Sequence, residues 1–272
     1  MDVALRRLAI LGFGKMGSTL LQAFLKQSVV QREQVSVTVA HAERAAGITR
    51  DFSVHAGTDN AGAAANADVV LICVKPQVVA EVLQQIRSVV GKDTLVISIA
   101  ASVNCRYMEQ RLESGTPVVR AMPNTPAQVG CGMTALSKGS SATTEHLKVA
   151  ERLFRSVGLA VIVDEKHMDA ITGLSASGPA FVYVILESLA EAGVKLGLPR
   201  EMATLLVAQT TLGAAKMVLD TGHHPALLKD AVTTPAGCTI DGLLELEEGK
   251  VRVTLIKAVV RAAERAGQLL LS

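Results

Sequence analysis

Residues 8–17 read L-A-I-L-G-F-G-K-M-G, and the fold is decided there. Leu8 to Leu11 is an unbroken apolar run of strand length. Gly12, Gly14 and Gly17 follow in G-x-G-x-x-G spacing, and a helix is expected from about Met16 to Lys26. The spacing alone is weak; set between a strand and a helix, it is the turn that receives a pyrophosphate. Gly12 allows the tight turn, Gly14 lets backbone approach the phosphates, and Gly17 lets helix and strand pack closely. The helix start adds free N–H groups and a partial positive charge. A dinucleotide is therefore expected around Gly12, Phe13, Gly14, Lys15, Met16 and Gly17; the alternative is an ordinary strand-to-helix turn.

Working outward, Val35 to Val39, Asp68 to Val74, Thr94 to Ala100 and Thr116 to Met122 are further strand candidates. Near-continuous apolar runs of this kind suit parallel strands covered on both faces. Val78, Val79, Val82, Leu83, Ile86, Val89 and Val90 form one helical stripe, with Pro76 just before it. Met133 to Leu136 and Ala160 to Val163 complete the sheet. After Asp164 strand signals stop, and helices are expected over about 180–196, 200–220, 239–248 and 251–271. The pattern is α/β: a Rossmann-type doubly wound sheet over residues 1–164, then an all-helical domain over 165–272. The helix from Ala180 to Val194 is apolar nearly all round. It is either a core helix or one shared with a partner subunit, and the second reading is preferred.

Composition excludes several classes. Lys plus Arg number 27 against 25 Asp plus Glu, too balanced for a nucleic-acid or anionic-membrane surface. The four cysteines, Cys73, Cys105, Cys131 and Cys238, form no C-x-x-C pair and no zinc spacing with histidine. They read as buried, reduced thiols of a cytoplasmic protein. The apolar run after Arg6 and Arg7 is too short for a secretion signal. The uncharged stretch Ala170 to Leu186 is too short and too rich in Gly, Ser and Pro for a membrane span of roughly 20 residues.

Other candidate residues lie at strand ends. No acid stands at the tip of the second strand, where an NAD site carries one. His41 and Arg44 stand there instead and suit a 2′-phosphate, so NADP(H) is preferred and NAD(H) is permitted; otherwise they are loop residues. Val74-Lys75-Pro76 and Ala100-Ala101-Ser102 end the next two strands. Lys75 reaches a phosphate, ribose or substrate, or is simply exposed, and the small alanines leave room for a ring. Asn60 lies near the start of a short helix, and capping is its simplest role.

In the helical half, T-T-P-A-G-C-T at 233–239 is a turn followed by a helix start at Cys238 or Thr239. Its hydroxyls and N–H groups suit a substrate carboxylate and one further polar atom, unless the threonines only cap the helix. Thr172 to Pro179, rich in Gly and Ser, reads as a turn that borders a pocket or is simply a loop. No G-x-S-x-G elbow or H-E-x-x-H motif occurs, and no metal site is expected.

Four motifs are more specific: V-K-P at 74–76, M-P-N-T-P at 122–126, D-A-I-T-G-L-S-A-S-G-P-A at 169–180, and T-T-P-A-G-C-T. With them the whole chain resembles the pyrroline-5-carboxylate reductase family. The resemblance implies reduction of a cyclic imine carboxylate to proline with NAD(P)H. It implies a homodimer through the C-terminal helices, commonly assembled into decamers, with the active site between the cofactor of one subunit and the helical domain of the other. It implies that Thr239 meets the substrate nitrogen, and that Thr234 and the N–H groups near Gly237, Cys238 and Thr239 hold the carboxylate. His41, Asn60 and Lys75 would surround the cofactor. The chain departs from the family at Ser102 and Ala236, where glycine is usual, and at Ala231, where some members carry a polar cofactor contact. A hydroxyacid dehydrogenase on the same plan would use a lysine on the long helix, and none occurs from Ala170 to Val194.

Overall fold

The structure is a computed structural model that describes residues 5–268. Among these, eight strands form one sheet: β1 (Leu8–Leu11), β2 (Val35–Thr38), β3 (His55–Gly57), β4 (Val69–Ile72), β5 (Leu95–Ser98), β6 (Val118–Met122), β7 (Gly132–Lys138) and β8 (Gly158–Ile162). Their order is β3-β2-β1-β4-β5-β6-β7-β8. The first six are parallel; β7 runs antiparallel to β6, and β8 parallel to β7. The chain leaves β1 to one side and returns to β4 on the other, so the switch point lies between β1 and β4, where ligands bind in open α/β sheets.

Strand periodicity explains the two-sided core. Leu8 and Ile10 enter one apolar cluster and Ala9 and Leu11 the other; Val69 and Leu71 are likewise opposed to Val70 and Ile72. Both faces are covered by helices: α1 (Lys15–Lys26), α2 (Ala42–Phe52), α3 (Asn60–Ala64), α4 (Val79–Ile86), α5 (Cys105–Glu109) and α6 (Thr144–Arg155). α4 buries Val79, Val82, Leu83 and Ile86, the expected stripe, but it stops at Ile86. Val90 continues into the core from beyond the helix end. α2 and β3 were not expected from periodicity, because α2 buries only Ile48 and β3 is three residues long. Arg44 is accordingly not a loop residue but lies within α2, whereas His41 is an exposed residue of the bend that precedes it.

The chain divides into two compact units. One runs to Ser177 and takes in the chain from Arg261; the other is Gly178–Val260. In the first, α7 (Met168–Ile171) passes into a π-helical turn over Thr172–Ala176, so the expected glycine-serine loop is helical instead. The wider register shows in Ser177 N–H donating to the Thr172 carbonyl at 3.0 Å. The second unit holds α8 (Gly178–Lys195), α9 (Arg200–Thr221), α10 (Pro225–Val232), α11 (Cys238–Glu248) and the first part of α12 (Val251–Gln268). The end of the helix expected to Leu271 falls outside the described residues.

Within the chain, α8 buries only Ala190 and α9 only Ala203. Tyr183, Val184, Leu205 and Leu219 are each 60% exposed or more. α8 is therefore not a core helix of the chain. The helical stretches Glu165–Lys195 and Arg200–Thr221 are long and apolar enough to cross a membrane by length and composition alone.

All four cysteines are free, and Cys131 and Cys238 are exposed rather than buried. Burial pushes the Cys73 and Cys105 thiols well above the ordinary range, so neither offers a thiolate near neutral pH. Among the described residues no cluster of His, Cys, Asp or Glu is arranged to hold a metal.

Candidate active site

The glycine turn sits at the carboxyl end of β1, beside the switch point. Gly12 has φ +88°, a left-handed conformation that L side chains rarely adopt. A Cβ there would collide with Val74 Cγ1 and lie 3.1 Å from the Cys73 main chain. A Cβ on Gly17 would come within 2.9 Å of the Gly12 carbonyl oxygen. At Gly14, by contrast, a Cβ would meet nothing within 4 Å. Gly14 precedes α1, which has no side-chain cap and no acid in its first turn. The helix start is thus an open set of N–H donors, with exposed Lys15 and half-buried Met16 on its first turn. Phe13 turns its ring inward against Phe52, edge to face at 5.1 Å, so only its backbone borders the turn.

The turn is pinned to the end of β2. Gly12 and Phe13 N–H groups donate to the Thr38 carbonyl at 3.2 and 2.9 Å, and Gly12 N–H also reaches Thr38 Oγ1 at 3.3 Å. Thr38 Oγ1 in turn donates to Asn60 Oδ1 at 2.6 Å, and Asn60 Nδ2 to Gln85 Oε1 at 2.6 Å. Asn60 is not the cap of α3; Asp59 is, through the Gly62 N–H at 3.0 Å. The Arg44 guanidinium returns to the turn, donating to the Phe13 carbonyl at 3.2 Å. His41 is exposed beside it.

Val74, Lys75 and Pro76 follow β4, with Val74 against Gly12 and exposed Lys75 preceding a short 3-10 turn. Ala100 is buried after β5, and Ala101 packs on the cluster of Met122, Ala135 and Met168. Ser102 takes φ +66°, the conformation glycine would supply, and its hydroxyl donates to the Ala266 carbonyl at 2.5 Å. A polar substitute for glycine is tolerated here because its side chain satisfies a carbonyl at the end of α12. The structure therefore gathers the expected cofactor residues along one sheet edge.

Thr234, Gly237, Cys238 and Thr239 lie in the other unit, at the start of α11. Gly237 N–H donates to the Thr234 carbonyl at 3.1 Å, closing the turn. Gly237 precedes the helix in extended conformation, with no side-chain cap. Neither threonine caps α11, so the capping-only reading fails. A Cβ on Gly237 would lie 2.5 Å from Thr234 Oγ1, so glycine leaves that hydroxyl its place. Ala236 sits at φ +56°. Ala236→Gly is expected to raise stability by about 0.5–1 kcal/mol. That is the left-handed penalty of roughly 1–2 kcal/mol less the chain freedom glycine adds. A higher urea midpoint at unchanged slope would show it.

Three residues escaped the reading of candidate sites. Thr38 ends the apolar β2, and its polar side chain was the available signal. Arg120 is buried in β6, with Nη2 3.4 Å from Asp169, Nη1 3.8 Å from Glu165, and Nε without a partner. A charge inside V-V-R-A-M marked it. Asn124 lay in a quoted motif without a role; Met133 N–H donates to its Oδ1 at 2.9 Å, and its Nδ2 donates to the Ser175 carbonyl at 3.2 Å.

Comparison with known proteins agrees with this architecture. Residues 165–269 match the pyrroline-5-carboxylate reductase dimerisation family, and residues 7–102 match the NADP oxidoreductase, coenzyme F420-dependent family. The chain is 42% identical to a pyrroline-5-carboxylate reductase of Methanosarcina acetivorans, over 97% of this chain and 98% of that one. A solved pyrroline-5-carboxylate reductase from Coxiella burnetii superposes with TM-score 0.90 at 34% identity, covering 98% of each chain. The Plasmodium falciparum pyrroline carboxylate reductase, solved with NADP bound, gives TM-score 0.88 at 31% identity over 97% of this chain and 98% of that one.

Proposed function

The chain belongs to the pyrroline-5-carboxylate reductase family, and we propose that it reduces L-1-pyrroline-5-carboxylate to L-proline with NAD(P)H, the last step of proline biosynthesis. One observation carries the reading: the uncapped, unobstructed start of α1 at Gly14, with Arg44 folded back to the same turn. That geometry fits a dinucleotide. The N–H groups of Lys15, Met16 and Gly17 would meet its pyrophosphate, and His41 and Arg44 would meet a 2′-phosphate, which favours NADP(H) over NAD(H). Asn60, Val74, Lys75, Pro76, Ala100 and Ala101 would border its remaining length.

When bound, the reduced nicotinamide supplies the hydride. The protein's own tasks are to orient the imine and exclude water. The hydride adds to the imine carbon, and one proton on the ring nitrogen completes the amine. A protonated cyclic imine is already a good acceptor, so no strong acid is required of the side chains. Thr239 would direct its hydroxyl to the ring nitrogen. The N–H groups of Cys238 and Thr239 and the Thr234 hydroxyl would hold the carboxylate, with Gly237 keeping the turn open. This explains a site with no histidine, cysteine or carboxylate in an evident catalytic role.

Residues 1–164 serve as the cofactor domain in this reading, and 165–272 as the substrate and dimerisation domain. The exposed apolar residues of α8 and α9 suit a second copy of the chain, which covers them in a homo-oligomer. Dimers assembling into decamers in the cytoplasm complete the proposal; two exposed free thiols suit a reducing compartment. The test is oxidation of NADPH, and separately NADH, by folded protein with racemic pyrroline-5-carboxylate. Turnover with formation of proline is expected; no oxidation above background overturns the reading.

A further inference from the structure

We propose that Asn124 is a positioning residue for the hydride step, fixing the π-helical turn Thr172–Ala176 beside the loop at Ala100 and Ala101. The inference rests on the reductase reading above. Asn124 lies just past β6, at the carboxyl edge of the sheet. Its amide orientation is set by the partners: the Met133 N–H at 2.9 Å can only be met by the side-chain oxygen. The NH2 therefore faces Ser175, 3.2 Å from its carbonyl oxygen and 3.4 Å from its hydroxyl.

The Ser175 carbonyl needs such a donor. At α-helical spacing its partner would be the N–H of residue 179, and residue 179 is proline. Asn124 gives that carbonyl a donor from outside the helix. An isolated π turn inside a helix is strained relative to the α form and persists where side chains hold it. The turn also shares a small core with the cofactor loop. Ala176 and Ala101 both pack on the cluster of Met122, Ala135 and Met168. A shift of the π turn thus moves the wall against which Ala101 rests. Hydride transfer is sensitive to such shifts, because displacements near 1 Å lower rates by about 100-fold.

Asn124→Asp keeps the shape and still accepts the Met133 N–H, but sets an anionic oxygen against the Ser175 carbonyl. Asn124→Ala removes both bonds without adding charge. In the free protein, amide hydrogen exchange of the peptide covering 168–178 is expected to quicken at least about tenfold in either variant. In the assay, kcat is expected to fall about tenfold or more, while the Kd for NADPH stays within about threefold. The isotope effect with NADPH deuterated at the transferred position is expected to rise, since hydride transfer becomes slower than product release. Unchanged exchange, unchanged kcat, or equal losses in kcat and NADPH affinity would each overturn the inference. Wild-type protein that turns over beside an unaffected variant sinks the inference alone; wild-type protein that binds NADPH without turnover sinks the reductase reading with it.

Discussion

Gly12→Ala is expected to weaken NADPH binding by at least about 100-fold, equivalent to about 2.7 kcal/mol. Two terms act together. The left-handed φ of +88° penalises any side chain by roughly 1–2 kcal/mol. The new Cβ also collides with Val74 Cγ1 and presses on the Cys73 main chain at 3.1 Å, where backbone cannot yield cheaply. The turn must move, and with it the N–H groups that would meet the pyrophosphate. Gly14→Ala is the informative companion. Its Cβ meets nothing within 4 Å in the chain, and its extended backbone suits alanine. It is therefore expected to leave the melting temperature within a degree or two while still weakening NADPH. The fluorescence of the reduced nicotinamide, which protein side chains do not share, reads both affinities directly. A Gly14→Ala variant that binds NADPH like the wild type would show that the cofactor does not approach this turn.

The second large effect is expected at Thr239. It stands at the second position of α11, half-buried, and its hydroxyl donates to no group among the described residues. Alanine there keeps the helix and removes only the hydroxyl. If that hydroxyl orients or relays the proton at the ring nitrogen, Thr239→Ala lowers kcat by about 100-fold, within the range for one positioned proton-transfer group. NADPH affinity is expected to stay within about twofold, because Thr239 and the Gly12–Gly17 turn belong to different units of the chain. Thr239→Ser, which restores the hydroxyl, recovers most of the rate. Equal turnover in the alanine variant removes Thr239 from the mechanism.

Much of this was readable in the residues themselves. Strand runs, the glycine spacing and the α4 stripe carry their own periodicity, so β1, β4, β5 and the turn at Gly12 could be placed directly. β3 and α2 could not, since a three-residue strand and a helix burying one residue leave almost no pattern. The π turn was misread because glycine and serine favour loops locally, while its hold comes from Asn124, 51 residues away. Thr38 and Asn60 are joined across 22 residues by a hydrogen bond that no local pattern announces. The start of α11 could be read as a polar helix start. That no side chain caps it, and that its N–H groups stay open, only coordinates reveal.

The most direct test is a crystal structure with NADP+ and proline bound together. The account predicts the pyrophosphate on the N–H groups of residues 14–17 and the proline carboxylate on those of Cys238 and Thr239, with its ring nitrogen at the Thr239 hydroxyl. A proline ring lodged away from residues 233–239, or a dinucleotide lying off the Gly12–Gly17 turn, would contradict it.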